Sequence, residues 1–220
     1  MEASRRPRVK VCCIANAGEA WMAIRAGASA LGLVSAMPSG PGVIAEAAIA
    51  RIAAEVPPPV ATFLLTSLQD AAAIVAQQRR LGASTLQLCD RMTTGSYADL
   101  REGAPGIGIV QVIHVEGPEA LDEALRVAPH VDAILLDSGR PTLAIKELGG
   151  TGRRHDWSVS RRIREAVPVP IFLAGGLNPE NLDEAVDAVG PFGLDVCSGV
   201  RTDGALDPSK LDRFFAAVGH

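Results

Sequence analysis

Two side chains at the ends of apolar segments could exchange protons with a substrate. Cys12 lies in the apolar segment 9–14, and Asp137 directly follows the segment 133–136. If Cys13 faces outward, the two-residue alternation of a β-strand points Cys12 inward. A thiolate supported by a cation or a dipole can act as a general base, whereas a buried thiol can also be a small apolar core group.

Asp137 has two interpretations at this position. A carboxyl group at the carboxyl end of a strand is a common catalytic group in α/β barrels. An aspartate there can also cap the following turn, and Ser138-Gly139 is a typical turn sequence. The residues alone leave both interpretations open.

Two glycine-containing segments predict an anion site. Gly175-Gly176-Leu177-Asn178-Pro179 follows the seventh apolar segment, and Cys197-Ser198-Gly199-Val200 follows the eighth. Glycine allows backbone N–H groups to approach a phosphate, and helix N-termini add a favourable dipole. A pair of such segments after neighbouring strands favours a bound phosphate over tight turns without a ligand.

Further polar groups lie near these positions. The connection Gly149-Gly150-Thr151-Gly152-Arg153-Arg154 can close over a ligand or form a solvated loop. Asp195, in the eighth segment, can bind a substrate hydroxyl or amine, or pair with Lys10. For His114, at the end of the fifth segment, a hydrogen-bonded structural role is favoured over proton transfer.

Eight apolar segments of strand type recur along the chain, at 9–14, 30–34, 60–65, 85–88, 107–114, 133–136, 169–174 and 194–197. Alanine-rich amphipathic segments typical of helices separate most of them, at 15–26, 44–55, 67–81, 118–128, 157–166 and 179–189. The segment 91–103 has the weakest helical pattern. Such alternation indicates parallel strands joined by helices.

The strand count distinguishes a closed barrel from an open, doubly wound sheet, which shows the same alternation. Eight strands with no segment left over predict a single (β/α)₈ TIM barrel, and 220 residues suffice for one such domain spanning 1–220. In this fold the loops after the strands form the active face. Phosphate usually binds to the loops after strands seven and eight.

Composition excludes several functional classes. A formal net charge of −4 leaves no broad basic surface for nucleic acid or anionic lipid. No apolar segment approaches the roughly 20 residues of a membrane span. The four cysteines lack the spacing of a metal site or a secreted disulfide framework, which predicts reduced thiols and a cytoplasmic location. The expected partner is a small phosphorylated substrate, bound by a monomer or a homodimer.

Motifs along nearly the whole chain, in order, resemble those of the phosphoribosylanthranilate isomerase family. They are Lys10-Val11-Cys12-Cys13-Ile14, Gly27-Ala28-Ser29-Ala30-Leu31-Gly32, Leu86-Gln87-Leu88, Leu136-Asp137, Gly149-Gly150-Thr151-Gly152 with Asp156-Trp157, Gly175-Gly176-Leu177-Asn178-Pro179-Glu180-Asn181, and Asp195-Val196-Cys197-Ser198-Gly199-Val200. The resemblance implies an enzyme of tryptophan biosynthesis that catalyses an Amadori rearrangement without a metal or an organic cofactor.

The resemblance also implies roles for individual residues. Asp137 is the general acid that protonates the ribose ring oxygen, and Cys12 is the general base that removes the proton from carbon 2. The resulting enolamine tautomerises to the aminoketone product. The implied substrate-binding residues are Lys10, Gln87 and Asp195, and the implied phosphate-binding residues are Gly150, Gly175, Gly176, Ser198 and Gly199.

The chain departs from the family pattern at three places. Cys13 stands where the family usually has glycine, and Cys89 stands where it usually has histidine. The loop 35–44 contains no Arg or Lys, although the family carries an arginine there that pairs with the anthranilate carboxylate. Losing such a partner costs roughly 1.5 to 3 kcal/mol. The candidate substitutes are Arg91, Arg140 and Arg153.

Three functions are therefore considered. The first is phosphoribosylanthranilate isomerase activity. The second is a related barrel isomerase acting on a different phosphosugar without the anthranilate carboxylate, which the arginine-free loop favours. The third is a non-catalytic barrel that binds a phosphorylated ligand, but such a protein would need neither Cys12 nor Asp137.

Overall fold

A computed structural model describes residues 6–149 and 152–219, and eight parallel strands in it close into one barrel. The strands are β1 (Arg8–Val11), β2 (Ala30–Val34), β3 (Ala61–Thr66), β4 (Thr85–Leu88), β5 (Gly108–His114), β6 (Ala133–Asp137), β7 (Ile171–Leu173) and β8 (Gly193–Val196). Each strand pairs with the next in the chain, and β8 pairs with β1. The predicted (β/α)₈ barrel is confirmed.

Helices surround the barrel between successive strands. They are α1 (Ala17–Ala26), α2 (Glu46–Glu55), α3 (Ala71–Leu81), α4 (Tyr97–Gly103), α5 (Ala120–Val127), α6 (Trp157–Ala166), α7 (Leu182–Val189) and α8 (Pro208–Val218). A short antiparallel pair, β9 (Arg201–Thr202) and β10 (Ala205–Leu206), precedes α8. No helix in residues 6–149 and 152–219 has the length and apolar character that a membrane crossing requires.

Capping residues set several helix starts later than the sequence pattern indicates. The Asp70 side chain accepts a hydrogen bond from Ala73 N, so α3 begins at Ala71 rather than at position 67. The weakly predicted segment 91–103 is helical only in α4, because Ser96 and Asp99 form a capping box there. Periodicity finds a helix, but local side-chain hydrogen bonds decide where it starts.

The first strand is shorter than its apolar segment. It ends at Val11, and Cys13 has a left-handed backbone with φ +63°. Strand alternation therefore does not extend to Cys13, and its thiol lies in the barrel mouth together with Cys12 rather than facing the helices. The outward orientation considered for Cys13 is wrong.

The barrel interior is closed by aromatic side chains toward the amino-terminal ends of the strands. Phe63 and Phe172 meet edge to face at 5.9 Å between ring centroids. Gly193 accommodates this packing, since a Cβ there would lie 2.5 Å from the Phe172 ring. Polar groups, including Lys10 and Gln87, lie inside the barrel as well, although both are buried. The packed end leaves only the carboxyl ends of the strands for a ligand.

Candidate active site

A cavity lies at the carboxyl ends of the strands, the face on which barrel enzymes bind their ligands. Most of the predicted site residues line this cavity. These are Cys12, Gln87, Asp137, Gly175, Gly176, Asp195 and Ser198. Lys10 and Gly199 contact residues that line the cavity, because Lys10 bonds to Asp195 and Gly199 packs against Leu177. Gly150 lies outside the described residues.

Cys12 directly follows β1, and its thiol has room because the neighbouring strand carries a glycine. Its backbone N–H donates to the Val196 carbonyl at 2.8 Å, which continues the pairing of β1 with β8. A Cβ on Gly32 would lie 2.7 Å from Cys12 Sγ and 3.1 Å from Lys10 Nζ. The small Gly32 therefore lets the thiol and the ammonium group share the space inside the barrel.

Lys10 and Asp195 form a buried ion pair across the seam where β8 meets β1. They are direct register partners, and Lys10 Nζ donates to Asp195 Oδ1 at 2.8 Å. Burial alone lowers the pKa of Lys10, but Asp195, Cys12 and Cys13 outweigh it and raise that pKa. Burial raises the pKa of Asp195, and Lys10 offsets part of this rise. Asp195 pairs with Lys10, as one of its two interpretations requires, and it also lines the cavity.

Gln87 presents an unpaired acceptor in the cavity wall. Its Oε1 atom is buried and accepts no hydrogen bond from the described residues, and its Nε2 atom contacts Cys89 Sγ at 3.9 Å. An unpaired buried acceptor costs about 1 to 3 kcal/mol, so a ligand hydroxyl that donates to it would be bound favourably. Burial raises the pKa of Cys89, which keeps this thiol protonated. His114 Nε2 bonds to the Cys89 carbonyl at 3.0 Å, which fits its structural interpretation.

Asp137 is the last residue of β6, and the following loop folds back onto its carboxyl group. Gly149 has φ +129°, and a Cβ there would lie 2.6 Å from Asp137 Oδ2. Only glycine fits this position, because both the backbone conformation and the space exclude a side chain. Asp137 is buried and lines the cavity, as expected of a proton donor with limited access to water.

A chain of hydrogen bonds behind Asp137 ties β6 to α6. Ser138 Oγ bonds to His155 Nδ1 at 2.9 Å, and His155 Nε2 bonds to Ser160 Oγ at 2.6 Å. Burial lowers the pKa of His155 to about 4, although Asp137 and Asp156 act in the opposite direction. The ring is therefore neutral at neutral pH and serves as a fixed hydrogen-bonding support.

The loops after β7 and β8 pack closely through their glycines. Gly175 and Gly176 have φ values of +86° and +66°. A Cβ on Gly175 would lie 2.1 Å from Ser138 Oγ, and one on Gly199 would lie 2.0 Å from the Leu177 carbonyl oxygen. Backbone groups therefore form this side of the cavity, as suits an anion held by N–H donors.

One functional pair was missed by sequence reasoning. Arg201, just after the Ser198–Val200 turn, pairs with Glu19 of α1 at 2.9 Å, and both side chains are about nine-tenths buried. Arg201 Nη2 donates to the carbonyl of Cys13 at 2.5 Å and contacts that of Cys12 at 3.4 Å. The pair holds the turn that carries Cys12, and its only sequence signal is two opposite charges 182 positions apart.

Glu19 is held by the backbone as well as by Arg201. It accepts hydrogen bonds from the N–H groups of Ala15 and Leu206, both at 3.0 Å. Burial raises the pKa of Glu19, but the bond from Arg201 and the two backbone bonds outweigh burial and lower that pKa. The carboxylate therefore stays ionised and links the segment after β1 to the segment after β8.

The remaining wall of the cavity is apolar. It contains Met37, Pro41, Leu65 and Leu148, and no Arg or Lys side chain of the described residues lines it. Ser39 Oγ donates to the Lys146 carbonyl at 2.6 Å, which ties the loop after β2 to the loop after β6.

None of the three candidate arginines lines the cavity. Arg91 pairs with Glu123 at 2.6 Å, Arg153 pairs with Glu147, and Arg140 forms a backbone bridge to Glu147. These positions do not support the expectation that one of them substitutes for the missing arginine.

Comparisons with known proteins agree over nearly the whole chain. A family model described as N-(5'-phosphoribosyl)anthranilate (PRA) isomerase matches residues 9–217. The N-(5'-phosphoribosyl)anthranilate isomerase 2 of Methanosarcina mazei is 37% identical over 209 residues, which are 94% of this chain and 92% of that protein.

Solved structures extend the likeness to three dimensions. Phosphoribosyl anthranilate isomerase from Thermotoga maritima is 29% identical, with a TM-score of 0.80 over 97% of this chain and 98% of that one. A phosphoribosyl anthranilate isomerase in complex with reduced 1-(o-carboxyphenylamino)-1-deoxyribulose 5-phosphate is 27% identical, with a TM-score of 0.78 and the same coverage.

Proposed function

The chain belongs to the N-(5'-phosphoribosyl)anthranilate isomerase family, and we propose that it isomerises its substrate with Asp137 as general acid and Cys12 as general base. It is an isomerase of tryptophan biosynthesis that acts on a small phosphorylated substrate. The observation that carries the residue assignment is that one cavity holds both Cys12 and Asp137 beside two glycine loops. Such a site can bind a sugar phosphate and move protons on its ribose.

Asp137 starts the reaction in this proposal. Its proton goes to the ribose ring oxygen as the bond from that oxygen to carbon 1 breaks. The nitrogen lone pair then forms a double bond to carbon 1, which gives the open-chain Schiff base. The position of Asp137 at the end of β6, with Gly149 packed against its carboxyl group, supports this role because the site limits water around the acid.

Cys12 completes the proton transfers. Its thiolate takes the proton from carbon 2, and the electrons released form an enolamine that tautomerises to the aminoketone. The buried Lys10 ammonium and the Cys12 thiol lie close together inside the barrel, since a Cβ on Gly32 would lie near both. In this proposal Lys10 positions Asp195 through their ion pair and lies beside Cys12, without lining the cavity itself.

Two other groups of residues are assigned to substrate binding. Backbone N–H groups around Gly175, Gly176, Ser198 and Gly199 bind the phosphate, with Gly150 retained as a predicted contributor. Asp195 and Gln87 accept hydrogen bonds from the substrate hydroxyl or amine groups. The exposure of Asp195 to the cavity and the unpaired Oε1 atom of Gln87 support these two binding roles.

A second candidate function keeps the same chemistry with a different aglycone. The apolar wall of Met37, Pro41 and Leu65 suits an aromatic ring, but none of the described residues places an arginine or lysine there for a carboxylate. This observation favours a phosphosugar amine whose ring carries no carboxylate. The isomerase activity on phosphoribosylanthranilate remains the main conclusion.

Turnover of freshly prepared N-(5'-phosphoribosyl)anthranilate, followed by the loss of its fluorescence, tests the assignment. Cys12→Ala and Asp137→Asn should each lower kcat by about a thousandfold, the usual scale of general acid–base catalysis. Cys89→Ala is the matched control, because this thiol lines the same cavity without an assigned role. Wild-type turnover by Cys12→Ala would show that another group is the base.

Binding separates catalysis from a folding defect. Both catalytic variants should bind the reduced 1-(o-carboxyphenylamino)-1-deoxyribulose 5-phosphate within about tenfold of the wild-type Kd, since neither side chain is assigned to the phosphate. Loss of binding together with turnover would contradict a purely catalytic role. The cytoplasmic location and the monomeric or homodimeric state stay predictions.

A further inference from the structure

Two cysteines that the proposed reaction does not use meet at the mouth of the cavity. Cys13 Sγ and Cys197 Sγ are 2.7 Å apart, and both thiols are free. A disulfide bond is about 2.05 Å long, so the sulfur atoms need to approach by less than about 0.7 Å to become bonded. Cys13 is buried, whereas Cys197 is partly exposed and lines the cavity, which gives a small oxidant access to it.

The fold brings these residues together at the seam of the barrel. Val11 and Val196 are register partners, so the chain positions just beyond them are neighbours as well. Cys13 then has φ +63°, a conformation that costs a side-chain-bearing residue roughly 1 to 2 kcal/mol and that glycine adopts readily. The left-handed turn directs the Cys13 thiol to Cys197. A cysteine at this strained position therefore makes a specific contact that glycine would not make.

The two thiols differ in chemical character. The pKa of Cys197 is lowered because its hydrogen bond with Cys13 stabilises the thiolate, and Arg201 contributes further. The pKa of Cys13 is raised by hydrogen bonds with Cys12 and Cys197 and by burial. A partly exposed thiol with a lowered pKa next to a protonated thiol is the arrangement from which a disulfide forms.

We propose that Cys13 and Cys197 are a redox modification site, at which a hydroperoxide forms a reversible disulfide that lowers the activity of the enzyme. The Cys197 thiolate attacks one peroxide oxygen, the O–O bond breaks, and the alcohol or water leaves with a proton. Cys13 then attacks the sulfenic acid sulfur of Cys197 and releases water. The two thiols lose two electrons and two protons in total, and the hydroperoxide is reduced.

The disulfide affects activity because each cysteine adjoins a functional residue. Cys13 follows Cys12, and Cys197 precedes Ser198 in the loop assigned to the phosphate. Pulling the sulfur atoms together displaces both backbone segments and the Cys13 carbonyl that Arg201 holds. A displacement of about 1 Å at a catalytic group can cost about a hundredfold in rate, so the smaller movement of less than about 0.7 Å is expected to lower kcat/KM by about tenfold.

Peptide mapping tests the bond independently of the proposed function. The purified enzyme is treated with hydrogen peroxide, its remaining thiols are blocked with N-ethylmaleimide, and it is digested with trypsin without a reductant. Trypsin releases peptides 11–25 and 165–201, and the second contains Cys197 as its sole cysteine. We expect these peptides to be linked, with fragment ions placing the bond on Cys13. A bond on Cys12, or no link between these peptides, overturns the proposal.

Activity measurements on two variants test the consequence. Cys13→Gly and Cys197→Ala should keep basal turnover and should lose the reversible part of the peroxide inactivation, which dithiothreitol restores in the wild type. Cys89→Ala is the matched control and should remain as sensitive as the wild type. If both variants are inactivated like the wild type, the target is Cys12 and the proposal fails. The effect on turnover rests on the proposed function, whereas the peptide link is measurable even if the substrate is different.

Discussion

The two sides of the barrel mouth are built in different ways. After β6, β7 and β8, glycines let backbone segments contact one another, as where a Cβ on Gly199 would lie 2.0 Å from the Leu177 carbonyl oxygen. After β1 and β2, side chains hold the loops, through the Arg201–Glu19 pair and the bond from Ser39 to the Lys146 carbonyl. The first side leaves little space for larger residues, while the second also depends on which side chains occupy it.

This difference explains where the chain departs from its family. A loop defined by backbone contacts fails with almost any added side chain, whereas a loop held by side chains can exchange one set of contacts for another. The phosphate side keeps the family motifs, whereas Cys13 and the arginine-free loop follow β1 and β2, and Cys89 follows β4. We therefore expect reaction chemistry and phosphate binding to be retained, and recognition of the aromatic end to be the property in which this chain differs from its family.

The largest effect is expected for the buried pair that holds the turn carrying Cys12. Arg201→Met should lower the free energy of unfolding by about 3 kcal/mol, because it leaves the Glu19 carboxylate buried without its charged partner. Arg80→Met is the matched control, since Arg80 and Glu46 form an exposed pair worth less than about 1 kcal/mol. Urea denaturation measures both. Equal effects would show that side chains do not hold this side of the mouth.

Adding a methyl group at Gly199, in the loop assigned to the phosphate, should be almost as damaging to activity. Gly199→Ala is expected to lower kcat/KM by about a hundredfold, mainly through KM, because the Leu177 carbonyl must move and the phosphate N–H groups move with it. Gly219→Ala, where a Cβ would be 3.5 Å from its nearest neighbour, should leave the kinetics unchanged. Normal kinetics for Gly199→Ala would show that close backbone contacts do not define the loops after β7 and β8.

Low pH should destabilise the folded protein through His155, whose hydrogen bonds lie behind Asp137. The folded pKa of His155, about 4, is below the unfolded value of about 6.5, so the unfolded state binds more protons as the pH falls between them. Stability is fully present above about pH 6.5, and about 3 kcal/mol is lost as the pH falls toward about 4. Urea denaturation at several pH values should show a smaller loss for His155→Gln than for the wild type. The same loss in both proteins would show that His155 is not the cause.

The smallest effect is expected at the aromatic end of the ligand. Removing the carboxylate from the reduced 1-(o-carboxyphenylamino)-1-deoxyribulose 5-phosphate should weaken binding by less than about tenfold, because no Arg or Lys of the described residues lines the cavity. Removing the phosphate from the same compound should weaken binding far more. Calorimetry on the three compounds measures both differences. A carboxylate effect of about a hundredfold would mean that a cation reaches this end after all.

Several features were predictable because they depend on local sequence. The alternation of apolar and amphipathic segments gave the eight strands and the barrel, and glycines after the last two strands gave the closely packed loops to which we assign the phosphate. The ordered motifs indicated the family, which the comparisons confirm. Strand and helix ends were less accurate, as at Val11 and Ala71, because a single cap or a left-handed residue sets them.

The sequence by itself determined which segments form strands and which functional residues lie near their carboxyl ends, since periodicity and turn chemistry act over a few neighbouring residues. Only the tertiary structure decided which of them meet. Lys10 and Asp195, Glu19 and Arg201, and Cys13 and Cys197 lie more than 180 positions apart and become neighbours because β8 closes on β1. Closure of the barrel therefore creates the support for the proposed base and the sulfur contact beside it.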